Sequence, residues 1–362
     1  MSKIEKMIKR LCPNGVERVR LDSLLDYEQP TRYIVNSTEY DSKYSIPVLT
    51  AGQSFILGYT NEEDGIYKAS PQNPTIIFDD FTTGFHWVDF DFKVKSSAMK
   101  MLKLKESKKK NDFRYIYMAM KTIDYIPTNH TRHWISIYGK FEIPLPPPTI
   151  QREIVSVLDF FTTLIDKMKQ EVELRKKQME YYSRFLIKQI ITDKVSISSF
   201  TKVLRGRRLT KNMLSEDYTY PVFHGGNEPI GFYKEANRDA NSVMIINVGA
   251  SAGTVGFCNS NFWSSDGCFC LQKNKDVLDK YVYYALKNKE KQIMSMVRNA
   301  GIPTLDASAV EKVEIPLPPL STQRSIVSTL DTFEQYISKL ERLITLREKQ
   351  YAYYREKLLT FE

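Results

Sequence analysis

Three places in this 362-residue chain carry residue types that could do chemistry: Asp79 beside Asp80, the segment NHTRHW at 129–134, and the glycine-rich run GASAGTVG at 249–256. Adjacent carboxylates can hold a catalytic metal, but no acid–lysine partner motif lies near this pair. It reads instead as strand-end acids or as acceptors for base amino groups. His130 and His133 flank Arg132 with no nucleophile close by, which argues against a catalytic role. The glycines are spaced G-x-x-x-G-x-x-G and lead into FCNSNFW, which is more strand than helix. That makes the run a turn, since a phosphate cradle needs a helix behind it. Cys12, Cys258, Cys268 and Cys270 fit neither a disulfide framework nor a zinc site, and Cys268 and Cys270 read as one face of a strand. No G-x-x-x-x-G-K-[ST] loop and no Asn-Pro-Pro-aromatic or Asp-Pro-Pro-Tyr methyltransferase tetrapeptide occurs. The expectation is a chain that is not an enzyme and holds neither metal nor cofactor.

Binding chemistry is better represented. The net charge is +9 and the isoelectric point near 9.1, a balance that favours a polyanion such as nucleic acid. Lys and Arg suit phosphates, while Arg, Asn and His can read base edges. The DNA-binding candidates are Lys100, Lys103, Lys108 and Lys109, then Asn129, His130, Arg132 and His133 in the first half of the chain. In the second half they are Arg205, Arg207, Arg208 and Lys211, followed by Arg298 and Asn299. The lysine run at 108–110 reads equally well as a solvated loop.

The elements that must position these residues begin with a repeat. IPLPPPTIQREIVSVLDFF starts at Ile143 and IPLPPLSTQRSIVSTLDTF at Ile315, and the two copies align without a gap over 45 positions with 22 identities. Chance would match roughly one position in fifteen, so the segment is duplicated. The prolines make a stiff entry, with Thr149 and Ser321 as helix caps. Downstream, Ile154, Leu158, Phe161, Ile165, Met168 and Val172 follow alternating steps of four and three. Ile326, Leu330, Phe333, Ile337, Leu340 and Ile344 match them step for step. Two such stripes in one chain predict that the helices pair antiparallel as a coiled coil. The competing reading is that each helix packs on its own domain.

The helices divide the chain into a globular unit at 1–148, a helix at 149–192, a second globular unit at 193–320 and a second helix at 321–362. Each unit alternates Val/Ile/Phe/Tyr runs with Gly, Asn and Asp turns and short helical patterns, an α+β arrangement. IPVLTAGQSFILGY at Ile46 faintly echoes YPVFHGGNEPIGFY at Tyr220. With 42% hydrophobic and 26% charged residues the chain has material for real cores. It has no run of about 18 apolar residues and its N-terminus has no apolar signal core, so a cytoplasmic protein with no membrane partner is expected.

This order of globular unit, long helix, globular unit and long helix, with PLPP…Q-R-x-I-V-x-x-L-D opening each helix at 144–159 and 316–331, resembles the specificity subunit of type I restriction–modification enzymes. LCPNGVERVRL near the N-terminus and PVLTAGQSFILGYT resemble that family's first target-recognition domain. The resemblance spans nearly the whole chain. It implies two target-recognition domains, each reading one half of a split site in double-stranded DNA. It also implies that the paired helices, pseudo-twofold symmetric, serve as a spacer and as a dock for two modification (methyltransferase) subunits. Those subunits would bind S-adenosylmethionine and methylate adenine, and restriction subunits would add ATP- and Mg2+-dependent translocation and cleavage. The family's short tandem repeats in the central helix are absent from KQMEYYSRFLIKQIITDK. The rival reading is a coiled-coil adaptor that binds proteins and reads no DNA.

Overall fold

The structure is a computed structural model that describes every residue except Met1, Ser2, Gln53, Asn129, His130 and Glu362. Two compact units emerge. The first comprises Met1–Asp166 with Thr345–Glu362, and the second Lys167–Ile344. The divisions therefore run through the long helices, and the first unit includes the end of the chain. The four segments expected from sequence describe elements and not compact bodies.

Among the described residues the first unit has nine strands: β1 Arg18–Arg20, β2 Leu25–Glu28, β3 Ile46–Leu49, β4 Ile56–Thr60, β5 Thr75–Asp79, β6 Phe85–Val88, β7 Lys93–Val94, β8 Met99–Leu104 and β9 Glu142–Pro144. They form sheets in the orders β2-β8-β5-β6, β4-β3-β7 and β1-β9. The second unit follows with β10 Lys194–Ser196, β11 Val203–Leu204, β12 Tyr220–Phe223, β13 Phe232–Tyr233, β14 Ser242–Ile246, β15 Val255–Cys258, β16 Trp263–Ser264, β17 Cys268–Leu271 and β18 Glu314–Pro316. Its sheets are ordered β11-β17-β14-β15, β13-β12-β16 and β10-β18, the same plan strand for strand. Even the parallel pairing is repeated, β3 with β7 and β12 with β16. The duplication thus extends over the globular parts, where sequence shows only a faint echo.

Alternation explains the central strands. In β17, Cys268 and Cys270 face a small core with Phe223, Met244 and Ile246, while Phe269 and Leu271 face the larger core under the helices. A buried strand with both faces covered reads as a continuous apolar run, as β14 does with Ser242, Val243, Met244, Ile245 and Ile246 all buried.

Both long helices have 41 residues, Pro148–Lys188 and Leu320–Thr360, and so measure about 60 Å at 1.5 Å per residue. Each starts one residue before its expected cap. Pro148 occupies the first helical position, where a missing N–H is no loss. The pairing is antiparallel within each unit. In the first, Phe161 stacks on Tyr354 with ring centres 5.6 Å apart, and in the second Tyr182 stacks on Phe333 at 5.6 Å. Phe161 corresponds to Phe333 in the repeat and Tyr354 to Tyr182, so one contact is built twice with the helices exchanging roles. Lys176 and Glu341 add an ion pair at 2.9 Å in the second unit, half-exposed and worth about 1 kcal/mol at most.

The seam is not a pure coiled coil. Ile154 and Leu158 are fully buried in one cluster with Leu21, Tyr115, Ile116, Leu358 and Leu359. Ile326 and Leu330 lie with Val243, Tyr281 and Leu286. The opening turns of each helix therefore serve the globular core and the partner helix at once, and the two sequence readings of that stripe both hold. Phe161, Ile165 and Ile337 are buried further along, and Phe333 is half-buried.

Candidate nucleic-acid interface

Several identical residues of the repeat turn out to be anchors. Gln151 is fully buried. Its Oε1 accepts from the backbone N–H of Asp112 at 2.7 Å, and its Nε2 donates to Pro146 O at 2.7 Å and Asn111 Oδ1 at 3.0 Å. Gln323 accepts from Leu278 N–H at 2.9 Å and donates to Pro318 O at 2.8 Å. Asp112 and Leu278 are the N-cap residues of the short helices Phe113–Met120 and Asp279–Lys287, so each glutamine satisfies a backbone donor at the start of a domain helix. From those helices the Tyr115 hydroxyl donates to Pro144 O at 2.8 Å and the Tyr281 hydroxyl to Pro316 O at 2.6 Å. Burial raises both phenols well above their ordinary range, so they remain neutral donors.

About two turns further along the long helix, Asp159 pairs with Arg114 at 3.0 Å, and Arg114 lies over the rings of Trp87 and Tyr117. Its counterpart Lys280 pairs with Glu334 at 2.7 Å, sits 3.9 Å from Asp331 and lies over Phe257 and Tyr283. The Q-R…L-D signature is thus largely a device for fixing a domain helix to a long helix. Arg152 and Arg324, its remaining members, are exposed.

On each unit several loops are held by a common set of backbone hydrogen bonds. Lys95 N–H donates to Leu49 O at 3.0 Å, as Ser265 does to Phe223 O at 3.0 Å. Asp80 N–H donates to Ala98 O at 2.9 Å, as Asn247 does to Gly267 O at 3.2 Å. Asp79 N–H donates to Gly84 O at 2.8 Å, as Ile246 does to Thr254 O at 2.9 Å, and Thr83 N–H donates to Asp79 O at 2.9 Å, as Gly253 does to Ile246 O at 2.8 Å. His133 N–H donates to Asp80 O at 2.8 Å, as Leu305 does to Asn247 O at 2.8 Å. Thr83 and Gly253 even share the left-handed backbone, with φ of 58° and 92°. The loops also touch: a Cβ on Gly84 would sit 2.3 Å from Ala51 O, and one on Gly267 would sit 2.7 Å from His224 Nδ1.

The side chains on this frame differ. In the first unit Asp79 caps its own turn, accepting from the N–H groups of Phe81 and Thr82 at 2.8 and 2.9 Å. In the second, residues 248–252 fill the same interval, and His224 lies 3.2 Å from Asp266 Oδ1 through Nδ1. Asp80 and Asn247 are equivalent, as are Lys100 and Phe269 by strand register. Lys100 and Asp80 form a buried ion pair at 3.1 Å, and Asp80 Oδ1 also accepts from Trp134 N–H at 2.8 Å.

That pair corrects one expectation. Lys100 is 1% exposed and His133 0%, with His133 Nδ1 hydrogen-bonded to the Tyr125 hydroxyl at 3.1 Å, so neither reaches DNA. Asn129 and His130 lie outside the described residues. Arg132, Lys109 and Asn299 are exposed, Lys108 is half-exposed, and Lys109 pairs with Glu106 at 2.7 Å. Lys103 lies over the Tyr67 ring and lines a hollow of about 500 Å³ with Arg32, Tyr33 and Lys68. Burial and the acceptor Glu28 push the Tyr33 phenol up to about 12.

In the second unit Arg205, Arg207, Arg208 and Lys211 share one exposed strap. The strap is tied down by Arg207 N–H to Ser264 O at 2.9 Å and by Trp263 Nε1 to Arg207 O at 2.7 Å. Gly206 makes this possible, since a Cβ there would lie 1.8 Å from Ser265 O. Arg298 stands on a separate loop and pairs with Asp306 at 2.9 Å, which offsets its charge. The sequence reading assigned no role to His224 or Asp266; His224 lies in the echo at Tyr220, while Ser251 belongs to the glycine-rich run at 249–256 that reads as a turn.

Among the described residues no group of three His, Cys, Asp or Glu could hold a metal, and no helix is long and apolar enough to cross a membrane. Against known proteins, the family described as the type I restriction modification DNA specificity domain matches twice, at residues 13–174 and 192–348. A type I restriction enzyme specificity subunit of Escherichia coli is 34% identical over 406 aligned positions, covering 100% of this chain and 98% of that protein. A putative type I specificity subunit of Haemophilus influenzae is 27% identical and covers 85% of this chain and 86% of its own. The crystal structure of a type I restriction–modification S subunit from M. genitalium superposes over 96% of this chain and 97% of its own with a TM-score of 0.67 at 17% identity, a likeness of fold.

Proposed function

The chain belongs to the type I restriction–modification DNA specificity family, and from that premise we propose that it is the DNA-reading subunit of such a system, binding a split, asymmetric site in duplex DNA. Each globular unit reads one half of the site. The paired long helices set the separation of the halves and dock two modification (methyltransferase) subunits, which restriction subunits then join. S-adenosylmethionine, ATP and Mg2+ act on those partners, and this chain is a non-catalytic cytoplasmic protein.

The observation that carries this reading is a contrast inside the duplication. Buried anchors such as Gln151 and Gln323 are identical, while the loop residues on a shared frame differ. Equal scaffolds with unequal loops suit one reader of two different half-sites. The charge of +9 adds sequence-independent, salt-sensitive affinity.

Docking has its own support. Leu174 and Tyr181 are 61% and 63% exposed, and their repeat counterparts Leu346 and Tyr353 are 52% and 58% exposed. Lys167 and Lys339 continue the same seven-residue spacing. Tyr181 and Tyr353 each touch the next tyrosine of their own helix, Tyr182 and Tyr354, yet most of the side chain stays uncovered, which suits two copies of one partner using the same stripe twice.

The test is methylation-motif sequencing of DNA from cells expressing this chain with its modification subunit. A bipartite, asymmetric motif is expected. A single continuous motif would overturn the split-site reading. Absence of any salt-dependent duplex binding, even with modification subunits present, would favour a protein-binding adaptor.

A further inference from the structure

Resting on the split-site reading, we infer that base discrimination in each half is carried by the short tips that the shared frame holds out, residues 81–82 in the first unit and residues 248–252 with Asp266 in the second. The frame bonds fix where these tips begin and end: Asp79, Asp80, Thr83 and Gly84 on one side match Ile246, Asn247, Gly253 and Thr254 on the other. Between those fixed positions the first unit carries Phe81 and Thr82, an aromatic ring and a hydroxyl. The second carries Val248, Gly249, Ala250, Ser251 and Ala252. A neighbouring frame bond brackets Ser96 and Ser97 in the first unit and Asp266 alone in the second. Length, polarity and charge all change while the backbone anchors do not.

Asp266 is the sharpest of these differences. Its carboxylate is 44% exposed, accepts from the Ser265 hydroxyl at 3.0 Å and lies 3.2 Å from His224 Nδ1, which itself accepts from Gly267 N–H at 3.3 Å. A carboxylate repels phosphates and can only accept hydrogen bonds when ionised, so on a DNA-facing loop it is suited to an exocyclic amino group, that of cytosine above all. The surroundings leave room for close approach. A Cβ built on Gly226, Gly249 or Gly301, from three different loops, meets no atom of the described residues within 4 Å apart from the adjoining residues. Beneath Asp266, Asn247 is 8% exposed. Its Nδ2 donates to Asp266 O at 3.2 Å while its Oδ1 has no partner among the described residues.

The experiment replaces residues 248–252 of the full chain with Phe-Thr, the tip of the first unit, and separately introduces Asp266→Asn. Each variant is assembled with the modification subunit, and its methylation motif is sequenced. The chimera should change the second half of the motif and leave the first half and the gap as they were. Asp266→Asn supplies a donor beside an acceptor, and should relax one base pair of the second half by roughly 5- to 150-fold in discrimination. If the chimera fails to assemble, the conservative Asp266→Asn variant decides. A wild-type motif from both variants, or from Asp266→Asn when it alone assembles, overturns the inference while leaving the split-site reading intact. A wild-type complex that marks no split motif overturns that reading and the inference with it.

Discussion

Replacing Lys100 by methionine should destabilise the first unit by about 3–5 kcal/mol, because it leaves Asp80 as an uncompensated buried charge. Both side chains are 2% exposed, and without the ammonium the carboxylate loses its charged partner while still accepting from Trp134 N–H at 2.8 Å. The second unit shows how the same place can be built without charge, with Asn247 where Asp80 stands and Phe269 where Lys100 stands. The double variant Asp80→Asn/Lys100→Phe should therefore recover most of the loss, since exchanging a buried ion pair for neutral groups of similar size is often neutral or better. Two of the three tryptophans, Trp87 and Trp134, lie in the first unit and Trp263 in the second, so the shift between wild type and variant in the tryptophan-fluorescence urea curve reads the first unit's transition. A cost below about 1 kcal/mol for Lys100→Met, or a double variant as unstable as the single one, would refute the argument. If Lys100 instead contacted phosphate, the single variant would lose DNA affinity with its stability unchanged.

Gln323→Leu should cost about 2–4 kcal/mol by stranding Leu278 N–H and Pro318 O in a buried site, and faster hydrogen exchange at Leu278 would check it. The triple variant Arg205→Ala/Arg207→Ala/Arg208→Ala should weaken binding of target duplex and flatten its salt dependence. Unchanged affinity across a salt titration would remove the strap from the interface. A seven-residue insertion after Glu173 keeps the heptad phase and lengthens that helix by about 10 Å, so the half-sites should move apart by at most about three base pairs. A methylation motif with its original gap would leave the helices as a docking platform alone.

The helices were legible in the sequence because their signal is local and repeated. Proline entry, cap and alternating steps from Ile154 to Val172 recur from Ile326 to Ile344. Antiparallel pairing followed from the two stripes, and the stacks of Phe161 on Tyr354 and Tyr182 on Phe333 carry it. The double use of Ile154 and Leu158 was hidden, because periodicity tells which face is apolar and not how many neighbours cover it. Lys100 misled for a related reason. A lysine in a basic run looks solvated until strand register places it opposite Phe78 and beside Asp80. The second half of the duplication was concealed because hydrogen bonds between backbone groups, such as Leu305 N–H to Asn247 O, constrain position and leave side chains free to differ.

The chain's last residues complete its first unit. Leu358 and Leu359 are buried with Leu21, Tyr115 and Ile150, and Lys357 pairs with Glu5 at 2.7 Å. During synthesis the amino-terminal part must therefore wait while the second unit, about 180 residues in one contiguous stretch, leaves the ribosome. At typical elongation rates that is roughly ten to forty seconds with apolar surface uncovered, whereas the second unit can close as soon as it is made. Folding order thus runs against chain order. A nascent chain cut short anywhere before Leu358 lacks the two leucines that close its amino-terminal core, so apolar surface there stays uncovered.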